Sequence, residues 1–301
     1  MARSVEASSL DAVVPAGAAA KEPAQWRRLL GRLLHARAPL AGAIVLLGMT
    51  LVALLAGQLA PDDPLKLNVI ERLTAPGRAH WLGTDEYGRD LLSRVIYGAR
   101  ISLRVAVLVV IGSISLGIII GLSAGYFPRL DGPVMRVMDG LQAFPSILLA
   151  IAIVAALGPR EINTAIALII VQMPRDARLV RGTVMATKGQ DFVEAARGLG
   201  VQDIRILLRH ILPNCVAPLT VQATFTFAFA ILAEASLSFL GVGTPPPAPS
   251  WGNVLAEARV VIREAPWMSF FPGLAIAATV MGLNLFGDWL RDALDPRMRM
   301  Q

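Results

Sequence analysis

Three carboxylates and two guanidinium groups crowd one stretch of the sequence. His80 to Leu103 reads HWLGTDEYGRDLLSRVIYGARISL, which sets Asp85, Glu86 and Asp90 beside Arg89 and Arg94. Carboxylates in such company can divide acid and base roles between them. The same residue types also build helix termini. Thr84 or Asp85 can cap a helix, and Asp90 can pair with Arg94 one turn further on. His80 is the one histidine nearby and no metal-ligand spacing occurs, so the architectural role is the expectation. No Gly-rich loop ends in Lys-Ser or Lys-Thr, so the chain is not expected to bind ATP. The single cysteine, Cys215, lies in an apolar run, where neither a disulfide within the chain nor a metal role is expected. No cofactor and no catalytic residue is expected.

The elements around these residues are apolar. The chain has 301 residues, 55% hydrophobic and 17% charged, with a mean hydropathy of +0.59. Soluble domains carry nearer 25% charged residues. Five charge-free runs account for the deficit: Ala38–Ala60, Val105–Phe127, Gly140–Gly158, Asn214–Ala233 and Ala265–Gly287. Each approaches the roughly 20 residues that span a bilayer. A sixth, Ile162–Pro174, has only 13. These runs predict an all-α polytopic membrane protein. The net charge of +6 then reflects orientation rather than nucleic-acid binding.

Charge placement decides whether the short run spans. If it does, Lys and Arg number 18 on the side of the termini against 9 on the other. If it does not, the balance inverts to 10 against 17. The positive-inside rule selects six transmembrane helices with both termini cytoplasmic, and the helix of the short run is expected to continue past Pro174 through Val180. Residues 1–24, rich in Ala, Ser, Glu and Pro, read as a disordered cytoplasmic tail. Residues 25–100 carry an interfacial helix at Gln25–Arg37, the first span and an outer loop. Residues 101–290 form the core, and 291–301 a second cytoplasmic tail. A cleavable signal peptide is not expected, because 37 residues precede the first apolar run. Gly117, Gly121 and Gly125 mark a seam of close helix approach, and Pro145 a kink in the third span. No Asp, Glu, His, Lys or Arg lies in the middle of a charge-free run. Ion-coupled transporters usually need one there, so energy is expected to come from a separate motor.

The longest polar stretch of the C-terminal half, Asp191 to Asn214, reads DFVEAARGLGVQDIRILLRHILPN and parses as two short helices. Asp191 and Glu194 have the spacing of a capping box. Phe192, Ala195, Ala196 and Leu199 share one apolar face, and Gly200 is placed to close the helix in a left-handed cap. Ile204, Leu207, Leu208 and Ile211 form the face of the second helix, with Pro213 at its end or at the start of the next element. Two amphipathic helices can lie on a membrane or dock in a partner's groove.

Glu194-Ala195-Ala196, then Gly200, then Ile211-Leu212-Pro213 resembles the EAA loop of bacterial ABC-importer permeases. The wider sequence is similar to the dipeptide/oligopeptide permease family, which includes nickel permeases, and within it to the second of two permease subunits. The similarity extends through Leu82-Gly83-Thr84-Asp85, Gly88-Arg89-Asp90 and Ser93-Arg94. It continues through Leu237-Ser238-Phe239-Leu240-Gly241 and Pro249-Ser250-Trp251-Gly252. It ends with Asn284-Leu285-Phe286-Gly287-Asp288-Trp289-Leu290-Arg291 and Asp295-Pro296-Arg297. His210 stands where the broad EAA pattern has Ile, as in the peptide-permease branch. The resemblance implies a type I importer transmembrane domain in the bacterial inner membrane. It implies a homologous partner permease, two ATP-binding subunits that hydrolyse ATP, and an extracytoplasmic solute-binding protein. Glu194, Ala195, Ala196, Gly200, Ile211, Leu212 and Pro213 would dock the ATPase. Di- or oligopeptides are the expected cargo. Nickel or another small solute is the alternative within the family, and an ATP-independent transporter or channel the alternative outside it.

Overall fold

A computed structural model describes residues 36–294 of the chain. The expected tail at 1–24, nearly all of the interfacial helix at 25–37, and Asp295-Pro296-Arg297 lie outside the described residues. No β-strand occurs among the described residues, and one isolated bridge joins Thr84 to Asp90.

The helices are α1 (Arg37–Leu54), α2 (Ala56–Leu59), α3 (Leu91–Tyr126), α4 (Pro128–Gln142), α5 (Ser146–Leu157) and α6 (Glu161–Thr187). They continue with α7 (Asp191–Gly198), α8 (Asp203–Ile206), α9 (Leu212–Phe239), α10 (Trp251–Ala258) and α11 (Trp267–Leu294). Four runs are long and apolar enough to cross a membrane alone: α1, α3, the stretch from α8 to the end of α9, and α11. The α4–α5 pair passes as a fifth, bent by 92° at its break. Pro145 sits at that break as the residue before α5, so the expected kink is a full interruption.

Helix α6 carries too many charges to qualify by composition, and its placement follows from packing. Arg104 bonds Glu161 at one end of the α3–α6 pair, and Lys188 Nζ donates to the Gly125 carbonyl at the other, at 2.9 Å. Between them Gly117 faces Asp176 and Gly121 faces Val180. Residue numbers rise together along both helices, so α3 and α6 are parallel, and α4–α5 must return the chain between them. Five crossings qualify by composition, and the sixth of the charge count rests on this parallel packing. The seam needs its glycines. A Cβ at Gly121 would lie 2.6 Å from the Ala177 carbonyl oxygen, and one at Gly125 2.8 Å from Val184 Cβ. The helix continues beyond the expected Val180 to Thr187, and Pro174 is buried in its interior.

Two carboxylates lie in the bundle, against expectation. Glu234 of α9 is fully buried and accepts from Ser102 Oγ at 2.9 Å and Ser238 Oγ at 2.8 Å. Asp176 of α6 is also fully buried, with Gln222 Nε2 donating to it at 3.1 Å. The charge-free runs end at Ala233 and Pro174, just short of them, so a reading by runs set Glu234 at a span end and did not place Asp176 in the bundle. Lack of intramembrane charge is therefore no ground against ion coupling in this chain. The expectation of a separate motor rests on the hairpin described next.

Candidate functional site

Asp191 to Pro213 forms a helical hairpin packed on the ends of α3, α6 and α9. Val193, Ala196, Ile206, Leu207, Ile211 and Cys215 share one buried cluster with Leu122, Tyr126, Val180 and Val184. Tyr126, the last residue of α3, ties both arms. Its hydroxyl donates to Asp203 Oδ1 at 2.5 Å, and the Arg197 guanidinium lies over its ring, 5.6 Å from the centroid.

The hairpin differs from its sequence reading in three ways. First, no capping box forms. Gln190 is the cap residue, without a side-chain bond, and Asp191 is already helical. Among the described residues the Glu194 carboxylate has no hydrogen-bond or ion-pair partner, and the residue is exposed. Its carboxylate sits in the first turn, where it complements the helix dipole. Second, the apolar face splits. Val193 and Ala196 point into the cluster, while Phe192, Ala195 and Leu199 are exposed; Leu199 is 84% exposed and Phe192 43%. The sequence reading had no inner partner to assign to Val193, so it placed the whole apolar stripe on one side. Third, the second arm does not end. A π-helical turn over Leu207–Ile211 joins α8 to α9, making one 37-residue helix from Asp203 to Phe239. Pro213 has no N–H to give the helix, and the wider turn lies immediately before it. Such turns are frequent at functional positions.

The seven candidate residues therefore separate. Glu194, Ala195, Gly200 and Pro213 are exposed, Leu212 is half-buried, and Ala196 and Ile211 are core residues that hold the hairpin to the bundle. Leu199, Ile204 and Leu208 belong with the exposed group. Ile204 is 60% and Leu208 54% exposed. Their helical spacing was visible in the sequence; their outward direction was not.

Gly200 has a φ of +76°. Its N–H bonds the Arg197 carbonyl at 3.0 Å and the Val201 N–H bonds the Ala196 carbonyl at 3.1 Å, a Schellman closure. A Cβ there meets nothing within 4 Å, so substitution strains the backbone alone. Gly200→Val is expected to cost about 1–2 kcal/mol and to turn the hairpin. Gly200→Asn, whose side chain tolerates this conformation, is expected to keep function. ATPase stimulation in the assembled complex, equal for Val and Gly, would refute this.

The carboxylate-rich stretch lies on the opposite end of the bundle and is architectural. Asp85, fully buried, accepts from the Tyr87 and Arg89 N–H groups, from Arg89 Nε at 2.5 Å and from Arg94 Nη1 at 2.5 Å. Arg89 Nη2 and Arg94 also donate to Glu257 of α10, the former at 2.7 Å. The expected Asp90–Arg94 pair is absent. Asp90 instead caps α3, accepting from Ser93 N at 2.8 Å, and faces His80 Nδ1 at 2.9 Å. Arg94 is drawn away because two carboxylates converge on it from other elements, one of them 163 residues distant.

Both ring nitrogens of His80 face carboxylates, Asp90 and Glu71. The Asp90 hydrogen bond raises the His80 pKa above its ordinary 6.5, and partial burial opposes it. A folded pKa above the unfolded one stabilises fully below about 6.5, and the gain is lost as pH rises through the folded value. The midpoint of thermal unfolding should therefore fall between about pH 6 and 8 more in wild type than in His80→Gln. Parallel pH profiles would contradict the assignment.

Comparison with known proteins places this geometry. Residues 113–300 match the family described as binding-protein-dependent transport system inner membrane component. Residues 24–76 match the N-terminal transmembrane domain of oligopeptide transport permease C. The chain is 48% identical over 272 residues to a di/tripeptide transport system permease protein of Pseudomonas aeruginosa, covering 88% of this chain and 90% of that one. It is 44% identical over 275 residues to a dipeptide transport system permease protein of Alkalihalophilus pseudofirmus, covering 91% and 90%. It is 44% identical over 276 residues to a glutathione transport system permease protein of Escherichia coli, covering 91% of each. Among solved structures, a chain of the MetNI methionine ABC transporter in inward-facing conformations superposes with a TM-score of 0.54. It covers 68% of this chain and 96% of that one, at 18% identity, and carries the fold alone.

Proposed function

The chain belongs to the family of binding-protein-dependent transport system inner membrane components, and from that premise we propose that it is one permease subunit of an ATP-driven importer of di- and oligopeptides. Relatives at 44–48% identity whose names specify dipeptides, di- and tripeptides and glutathione support the cargo. A homologous permease completes the pathway, two ATPase subunits power it, and an extracytoplasmic binding protein delivers solute. The termini and the Asp191–Pro213 hairpin face the cytoplasm of a bacterial inner membrane, the side with more Lys and Arg.

One observation carries the mechanism. The hairpin presents Phe192, Leu199 and an unpartnered Glu194 outward, while its second arm is continuous with a membrane span. An amphipathic helix in a partner's groove binds through such outward anchors. Movement of the ATPase pair then reaches α9 without a flexible joint and reaches α3 through Tyr126. Alternating access follows as rigid-body tilting of the spans. The proposal requires ATP and the ATPase subunits. Proteoliposomes holding the complete importer should take up dipeptide only with ATP inside. Flux through the permeases without ATPase subunits would assign the chain to the ATP-independent class.

A further inference from the structure

Arg175, Arg178 and Arg181 run down one face of α6, three residues apart. Two of them meet carboxylates of α4: Arg178 bonds Asp139 at 2.5 Å, and Arg181 grips Asp131 with two bonds of 2.5 and 2.7 Å. Arg175 meets none among the described residues. It faces the break between α4 and α5 instead, where it lines a cavity of about 200 Å³ with Gln142, Phe144, Ser146, Gln172 and Phe229. The next residue, Asp176, hydrogen-bonds Gln222 rather than Arg175. The Arg175 guanidinium is exposed and so is open to a solute that enters the cavity.

We propose that this cavity is a solute subsite of the pathway, in which Arg175 receives the carboxylate of a passing peptide. The solute supplies the counter-charge that α4 supplies to Arg178 and Arg181. Gln142, Ser146 and Gln172 add neutral polar groups around it, and Phe144 and Phe229 supply apolar walls. Arginine suits this task because its fork matches a carboxylate through two parallel bonds. A single carboxylate left free to exchange with water also releases the peptide.

The inference rests on the peptide-importer reading, so its test is kept apart from transport. The complete importer, without binding protein, is placed in nanodiscs and titrated with dialanine and with its C-terminal amide, followed by saturation-transfer NMR. Wild type is expected to bind the free acid about tenfold more tightly than the amide, the range of a charge-assisted bond. Arg175→Gln should abolish that preference by weakening the acid alone. Arg175→Lys should retain part of it, and serves as the test variant if Arg175→Gln does not assemble. Equal binding of acid and amide to wild type overturns the subsite, as does a preference that survives Arg175→Gln or Arg175→Lys undiminished. Uptake of dialanine by wild type with binding protein and ATP is scored separately. Uptake without an Arg175 effect refutes the subsite alone, and absence of uptake refutes the cargo.

Discussion

Arg94→Ala should leave little folded chain in the membrane. The substitution removes one of the two guanidinium groups that join Asp85 to Glu257, and both it and Asp85 are fully buried. Breaking a buried pair by deleting one partner costs about 3–5 kcal/mol, because the other charge stays buried. Native stability is only about 5–15 kcal/mol, so the loss is a large share of it. Arg89 still contacts both carboxylates, which keeps the cost from being higher. Arg94→Lys should recover only part, since an ammonium cannot grip Glu257 in two places. The measurement is the yield and thermal midpoint of the purified complex, with proteolysis of the 61–90 segment as a local readout. Wild-type stability in Arg94→Ala would mean that the network is decoration, and would return Asp85 and Glu257 to the list of candidate chemistry.

Leu199→Asp should do the reverse, sparing the fold and abolishing transport. Leu199 is 84% exposed, and substitutions at such surface positions usually change stability by less than about 0.5 kcal/mol. If the side chain is an anchor in an apolar groove, a carboxylate there loses the contact and is desolvated unpaired. Central interface anchors are worth about 2 kcal/mol or more, so docking should weaken at least about thirtyfold. ATP-dependent uptake and retention of the ATPase subunits on purification should both fall together. Val193→Asp makes the contrast, because Val193 lies in the buried cluster with Ile206 and Ile211 and should fail at folding instead. A Leu199→Asp importer with normal uptake would remove this face from the docking surface.

The sequence disclosed the parts of the molecule that are set by pattern. Six spans were expected from runs and charge; five qualify by composition, and α6 is placed by its parallel seam against α3. Gly200 was legible because only a left-handed closure needs it there. What could not be read depends on contacts distant in sequence. Arg94 has an attractive neighbour at Asp90 and a better pair of partners at Asp85 and Glu257, one of them on α10. Glu194 fits a capping box by spacing, yet the chain enters the helix one residue earlier, at Gln190. The apolar stripe of α7 was correct in composition but divided in direction, because Val193 found the cluster beneath it. Asp176 and Glu234 were not read as buried charges because each lies just beyond a charge-free run. The α8–α9 continuity was hidden by Pro213, which the π turn accommodates.

The central claim is that the outward face of the Asp191–Pro213 hairpin is seated in an ATPase subunit. A photo-reactive residue, Leu199→p-benzoylphenylalanine, in the complete importer tests it directly, with Ile70 on the opposite end, 96% exposed, as the matched control. Irradiation should join the chain to the ATPase subunit from position 199 and not from position 70. Capture of lipid, or of nothing, from position 199 in a complex that hydrolyses ATP and imports solute would contradict the account.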